Sequence, residues 1–402
     1  MSKTTFEMQP PHETGGSIVL FKPDVDLSTQ QSILASLSGA DVQTFASRAG
    51  RLPESADEAP AIVLENVNIG FISAQVGAAQ SESIRANLMD DDRVLSVRPE
   101  LYLFALKTIQ DDDQKTWGVD AVGAWASRYT GAGIKVAVLD TGLDLQHPDF
   151  ADRTIVSESF VTGEDVQDGQ GHGTHCAGTA VGGRTSDRDF RYGVASDADL
   201  YVGKVLANSG SGRERDVLIG MAWAIEQGCE VISMSLGSDV REGDTYSPEY
   251  EALGRQALDR GSLIIAAAGN SSSRRLGFVA PVGSPANAPS IMAVAAVDEA
   301  LSVADFSSGG INPDGGEVNV AGPGVDVFSS VPAPRLYRSL SGTSMACPHV
   351  AGVAAHWAES DQNLRGQALW DKIIETAAPV SEDARDLGAG LVQSPPAAAG
   401  VA

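Results

Sequence analysis

Gly342-Thr343-Ser344-Met345-Ala346-Cys347-Pro348-His349-Val350-Ala351-Gly352 sets one serine at a glycine-bracketed turn that leads into a run of small residues. A serine at such a helix start lies where unpaired backbone N–H groups collect and the helix dipole favours negative charge, so Ser344 is a candidate nucleophile. Working outward, the apolar run Val136-Ala137-Val138-Leu139 ends in Asp140-Thr141-Gly142, and Gly171-His172-Gly173-Thr174-His175-Cys176-Ala177-Gly178 sets a histidine among glycines. Further apolar runs rich in Val, Ile and Ala occupy 134–139, 200–205, 231–235, 263–268 and 291–297, with helical patterns over 216–227, 250–259 and 343–356. Near-continuous apolar strands alternating with helices predict an α/β fold with a parallel sheet buried on both faces. Functional residues in such sheets gather at the carboxyl ends of strands, which is where Asp140 falls.

The three motifs, in the chain order Asp, His, Ser, resemble those of the subtilisin-like serine proteases (subtilases). Each residue alone has a plainer reading, as a turn residue, a structural histidine or a serine in a turn; their joint occurrence inside longer motifs favours chemistry. The resemblance implies a subtilisin-like parallel sheet flanked by helices, and a serine endopeptidase with Asp140, His172 and Ser344 as its triad. A serine hydroxyl is a weak nucleophile until a base takes its proton and a third group orients that base. Asn270, ending Ala266-Ala267-Ala268-Gly269, matches the family's oxyanion-hole residue. Gly210, Ser211 and Gly212, with Ser235, Leu236 and Gly237, match two edges between which a peptide adds as a β-strand. Ala266, Gly269 and Gly283 match the walls and base of the pocket for the residue before the cut. With glycine at that base and no acid matching there, the expected preference is for large apolar residues. The Gly-x-Ser-x-Gly elbow of α/β-hydrolase esterases is absent.

The 402 residues are 43% hydrophobic and 20% charged with 43 glycines, a globular, turn-rich composition long enough for two domains. Upstream of Asp111-Asp112-Asp113 the predicted order is strand, helix, strands, helix, strand, with Ser28 capping the first helix and Ile33, Leu34 and Leu37 on one face of it. That order suggests a small ferredoxin-like α+β unit, similar to the family's inhibitory prodomain. The expected division is a flexible N-terminus over 1–15, an inhibitor-like prodomain over 16–106, a linker with the processing region over 107–116, a catalytic domain over 117–392 and a flexible tail over 393–402. The resemblance puts self-cleavage of the zymogen at Leu106-Lys107 or in the next few residues.

Partners expected from the resemblance are peptide or protein substrates and the chain's own prodomain. A formal net charge of −25 opposes phosphate backbones and anionic lipid, so neither nucleic acid nor membrane is an expected partner. The family further implies a structural calcium ion held in part by Asp149, although the matching loop over 182–189 carries two arginines, poor company for a cation that wants six to eight oxygens. No organic cofactor is expected. Residues 1–11 lack a basic start and an apolar core, and three cysteines cannot all pair within one chain. Both features predict a cytoplasmic protein, with secretion by a non-classical route as the alternative.

Overall fold

A computed structural model describes residues 13–22, 24–38, 42–46, 60–65, 69–73, 81–101, 114–151, 153–186 and 189–396. Two compact units divide between Leu106 and Lys107. That bond, the expected processing site, lies outside the described residues, as do most of the expected N-terminal and C-terminal flexible segments.

The first unit contains β1 (Glu13–Phe21), α1 (Leu27–Ser38), β2 (Val42–Ala46), β3 (Ala61–Glu65), β4 (Ile69–Ile72), α2 (Ser81–Met89) and β5 (Val94–Leu101). The sheet runs β2-β3-β4-β1-β5, with every pairing antiparallel except the edge pair β2 and β3. Without β2, this is ferredoxin-like order. Val19, Phe21, Ile33, Leu34, Val63 and Leu88 form its core. Ser28 is not the cap of α1: the helix already starts at Leu27, and Asp26 before it accepts the Thr29 backbone N–H at 2.9 Å. A carboxylate does this better than a hydroxyl, because it accepts more strongly and complements the dipole.

The second unit is an α/β sandwich. Its strands are β6 (Lys135–Asp140), β7 (Ile155–Ser159), β8 (Asp199–Lys204), β9 (Val231–Met234), β10 (Leu263–Ala267), β11 (Met292–Val297) and β12 (Val320–Pro323), in the order β12-β11-β10-β9-β6-β8-β7 and all parallel. A two-stranded antiparallel hairpin, β13 (Val327–Ser330) and β14 (Tyr337–Leu340), stands apart from that sheet. The helices are α3 (Trp117–Ala121), α4 (His172–Val181), α5 (Glu214–Glu226), α6 (Pro248–Asp259), α7 (Thr343–Ser360), α8 (Gln367–Thr376) and α9 (Ala384–Leu387).

Strand periodicity sorts the core into two layers. Val136, Val138, Ile265 and Ala267 face α4 and α7, whereas Ala137, Leu139, Ile264 and Ala266 face α5 and α6. Burying a side chain such as Leu139 contributes about 1.5–3 kcal/mol, and the unbroken apolar runs supply that on both faces. On α7, Ala346, Ala351, Ala354 and Ala355 are fully buried, and a Cβ at Gly352 would stand 2.5 Å from the Val194 Cβ, so small residues let this helix lie against its neighbours. The sheet order brings the C-terminal ends of β6 and β10 and the N-termini of α4 and α7 to one side.

Candidate active site

Asp140 ends β6 and His172 begins α4, and their side chains meet: the imidazole Nδ1–H donates to Asp140 Oδ1 at 2.8 Å. The same oxygen accepts the Thr141 backbone N–H at 2.7 Å. Asp140 is 1% exposed and His172 25%. Burial disfavours a charged imidazole, but the adjacent carboxylate and the hydrogen bond to it outweigh that and raise the His172 pKa well above its ordinary 6.5. A tight turn holds this arrangement. Gly142 has φ +103°, and a Cβ there would lie 2.1 Å from the Val166 carbonyl oxygen, so only glycine fits.

Ser344 is the second residue of α7. Its Oγ–H donates to the Ser235 carbonyl at 3.2 Å, and in return Ser235 Oγ–H donates to the Ser344 carbonyl at 2.7 Å. Pro348 explains the second bond. Lacking an N–H, it cannot bond the carbonyl four residues back, which leaves the Ser344 oxygen to Ser235 and, at 3.5 Å, to Cys176 Sγ. The effect of Pro348 inside α7 is thus to free this acceptor. Asn270 Oδ1 accepts from the Thr343 backbone N–H at 2.8 Å and from Thr343 Oγ1 at 2.9 Å. With the amide oxygen engaged there, its NH₂ group is the part left for the cleft.

His172, Ser344 and Asn270 line a cleft of about 630 Å³, with Asp140 behind the imidazole. Gly210, Ser211, Gly212, Ser235, Leu236, Gly237, Gly269 and Gly283 line it too. Ala266 does not: it points into the core layer beneath α6, and its neighbour Ala267 takes the expected place because strand side chains alternate. Two acids, Glu214 and Asp239, also line this cleft. A second hollow of about 490 Å³ continues past His172, Asn270 and Ser344, walled by the segment that carries Arg335 and Arg338.

Two further residues support the site without an obvious sequence signal. Asp168, 2% exposed, accepts from Thr141 Oγ1, the Gly171 and Thr174 backbone N–H groups and Thr174 Oγ1, tying the β6 turn to the start of α4. Lys204 is fully buried opposite Asp140 in the sheet, and its ammonium reaches the Thr141 carbonyl at 2.6 Å, Asn208 Oδ1 at 2.9 Å and Glu164 Oε2 at 3.2 Å. A buried ammonium is tolerated only when it is saturated in this way.

The Subtilase family profile (peptidase S8) matches residues 131–391. The chain is a subtilase. It is 39% identical over 272 residues to subtilisin DY of Bacillus licheniformis, covering 66% of this chain and 91% of that protein. Subtilisin of Bacillus pumilus is 40% identical over 251 residues, covering 62% and 85%. Among solved structures, sphericase superposes with a TM-score of 0.59 at 33% identity over 72% of this chain and 99% of that one. A cold-adapted subtilisin-like serine proteinase does so with 0.57 at 30% identity over 70% and 97%. This subtilase is a serine endopeptidase that acts on peptide or protein substrates.

The comparison overturns the cytoplasmic expectation, since the related subtilisins are secreted, extracellular enzymes. The cysteines never bore on the question. Cys176, Cys229 and Cys347 are all free and buried, so an unpaired thiol is compatible with oxidising surroundings. Burial pushes the Cys229 and Cys347 thiols up to about 12 and raises Cys176 despite the nearby imidazole, 3.8 Å away.

Subtilisins generally bind calcium, but Asp149 does not fit the part expected of it. Its Oδ2 accepts from the Tyr192 hydroxyl at 2.8 Å, its Oδ1 from the Tyr337 hydroxyl at 2.9 Å and from the Ser186 backbone N–H at 3.1 Å. A carboxylate ringed by donors in this way, and belonging to no group of three His, Cys, Asp or Glu ligands among the described residues, fits a hydrogen-bond hub better than a calcium ligand. The described residues offer one cluster of potential metal ligands, Asp140, His172 and Cys176, and there the imidazole is already bonded to Asp140.

Proposed function

We propose that Asp140, His172 and Ser344 act as a catalytic triad and that Asn270 completes the oxyanion hole. The observation that carries this reading is the 2.8 Å bond from His172 to a buried Asp140 in a cleft that Ser344 lines from a helix N-terminus. The imidazole takes the Ser344 proton as Oγ attacks the scissile carbonyl, and Asp140 stabilises the imidazolium so formed. The Asn270 NH₂ and the Ser344 backbone N–H donate to the oxyanion. His172 returns the proton to the departing amine, leaving an acyl-enzyme on Ser344 that water hydrolyses by the reverse use of the same groups. The peptide lies as a strand between Gly210-Ser211-Gly212 and Ser235-Leu236-Gly237, with a large apolar residue before the cut seated over Gly283.

The first unit is proposed as an inhibitory prodomain, and the chain as a zymogen that cuts itself at or just after Leu106-Lys107. Intact mass of wild type beside Ser344→Ala, each then offered casein, tests both ideas. Loss of roughly the first hundred residues together with casein digestion, in wild type alone, supports them. A wild type that stays whole yet digests casein removes the zymogen, and processing by the alanine variant removes the triad.

A further inference from the structure

The two halves of the cleft carry opposite charge. On the side floored by Gly283 the acids and bases lining it, apart from His172, are Glu214 and Asp239, both acids. Past His172 and Ser344 they are Arg335 and Arg338. Because His172, Asn270 and Ser344 border both halves, the sign changes at the reacting atoms.

The arginines stand out in this chain. Acids outnumber Lys and Arg by 53 to 28, and other arginines find carboxylates, as in Arg215 with Asp216 and Arg274 with Asp386. Arg335 and Arg338 are exposed and form no ion pair with the described residues. Acids reach this half only through other groups: Asp168 accepts from the Gly171 backbone N–H at 2.8 Å, Asp144 from that of Ala333 at 3.1 Å, and Asp326 from Ser341 Oγ at 3.5 Å, and none of the three pairs with either arginine. Their platform is held from beneath. His175 Nε2 donates to the carbonyls of Val327 and Arg338 at 3.0 and 3.1 Å, and burial lowers its pKa to about 3, so it is neutral. His147 Nε2 donates to the Leu336 carbonyl at 2.9 Å, and the Tyr337 hydroxyl donates to Asp149. Two cations on an anchored hairpin lose less freedom on pairing than two on a mobile loop.

If the residue before the cut sits over Gly283, the departing half of the substrate runs along the arginine wall. We propose that Arg335 and Arg338 select substrates bearing Asp or Glu in the first few positions after the scissile bond. This rests on the catalytic reading above. The chain itself contains a segment of that class, Ile109-Gln110-Asp111-Asp112-Asp113, an apolar residue followed by acids.

Three quenched peptides test it, alike with Leu before the cut and carrying Asp-Glu, Gln-Gln or Lys-Lys at the second and third positions after it. They are offered to wild type and to Arg335→Glu/Arg338→Glu at low and high salt. Wild type is expected to cut the acidic peptide with a kcat/KM roughly threefold to tenfold above the lysine peptide, the scale of two exposed ion pairs, and to lose that margin in high salt. The double variant reverses the order of the acidic and lysine peptides. Should charge reversal disturb the hairpin, Arg335→Gln/Arg338→Gln keeps the test intact, its margin for acid vanishing while the Gln peptide is still cut. An unchanged order in either active variant, or equal rates on all three peptides in wild type, overturns the proposal alone. Failure of wild type to cut any of them overturns the catalytic reading, and the preference with it.

Discussion

At the scale of single residues, His172 decides the pH behaviour. In the proposed role it works as a neutral base, and its pKa is raised by Asp140 against the opposing effect of burial. The kcat/KM is therefore expected to climb on the alkaline side of 6.5, with a midpoint above that ordinary value, in a pH profile on a neutral peptide. Stability runs the other way. A raised folded-state pKa means that the pair's contribution is full below about pH 6.5 and is lost as pH rises through the folded value, so activity appears as this contribution fades. Asp140→Asn should move this rising limb to lower pH and cut kcat by the order of 10⁴, a scale known from serine proteases generally. Asn270→Ala should cost on the order of 10²–10³ in kcat, a magnitude that comes from the subtilisin family and not from this chain. Asp140, His172, Asn270 and Ser344 were legible because each sits in a local motif. Asp168 and Lys204 were not, because each reaches Thr141 in a distant segment, Asp168 through its hydroxyl and Lys204 through its carbonyl, and a lysine ending an apolar strand carries no mark of being buried.

At the scale of elements, β6, β8, β9, β10 and β11 and helices α5 to α7 were readable within a few residues, since continuous apolar runs and amphipathic stretches announce themselves. The β13 and β14 hairpin was not. Its strands are short and joined by a proline-containing stretch, and it is held by tertiary bonds from His147, His175 and Asp149 and not by its own pattern. That supplies a prediction about metal. Asp149→Asn should destabilise the protein by roughly 1–3 kcal/mol, the cost of a damaged buried hydrogen-bond hub. The drop in melting temperature should be the same with and without chelator. A drop seen only in chelator-free buffer would restore Asp149 as an ion ligand. The Ser235 clasp belongs to this scale as well: Ser235→Ala removes the 2.7 Å donor to the Ser344 carbonyl and should lower both melting temperature and kcat while leaving KM nearly unchanged.

At the scale of the whole chain, the fold class followed from the alternation of buried strands and helices, whereas the location did not follow from composition. Net charge and cysteine count constrain solubility and disulfide pairing, and neither identifies a compartment. The division into two compact units carries its own prediction. Residues 16–106, added as a separate polypeptide to processed wild type, should slow casein cleavage in a dose-dependent way; undiminished cleavage at saturating dose would leave the first unit without the inhibitory role.

The three buried thiols give the folded chain a built-in gauge of its own opening. Cys176 and Cys347 lie in the layer beneath the two candidate reacting residues, and Cys229 in the layer on the opposite face of the sheet. An alkylating reagent meets none of them until a layer parts, so the order in which the three become labelled during gentle heating would reveal which face of the enzyme loosens first.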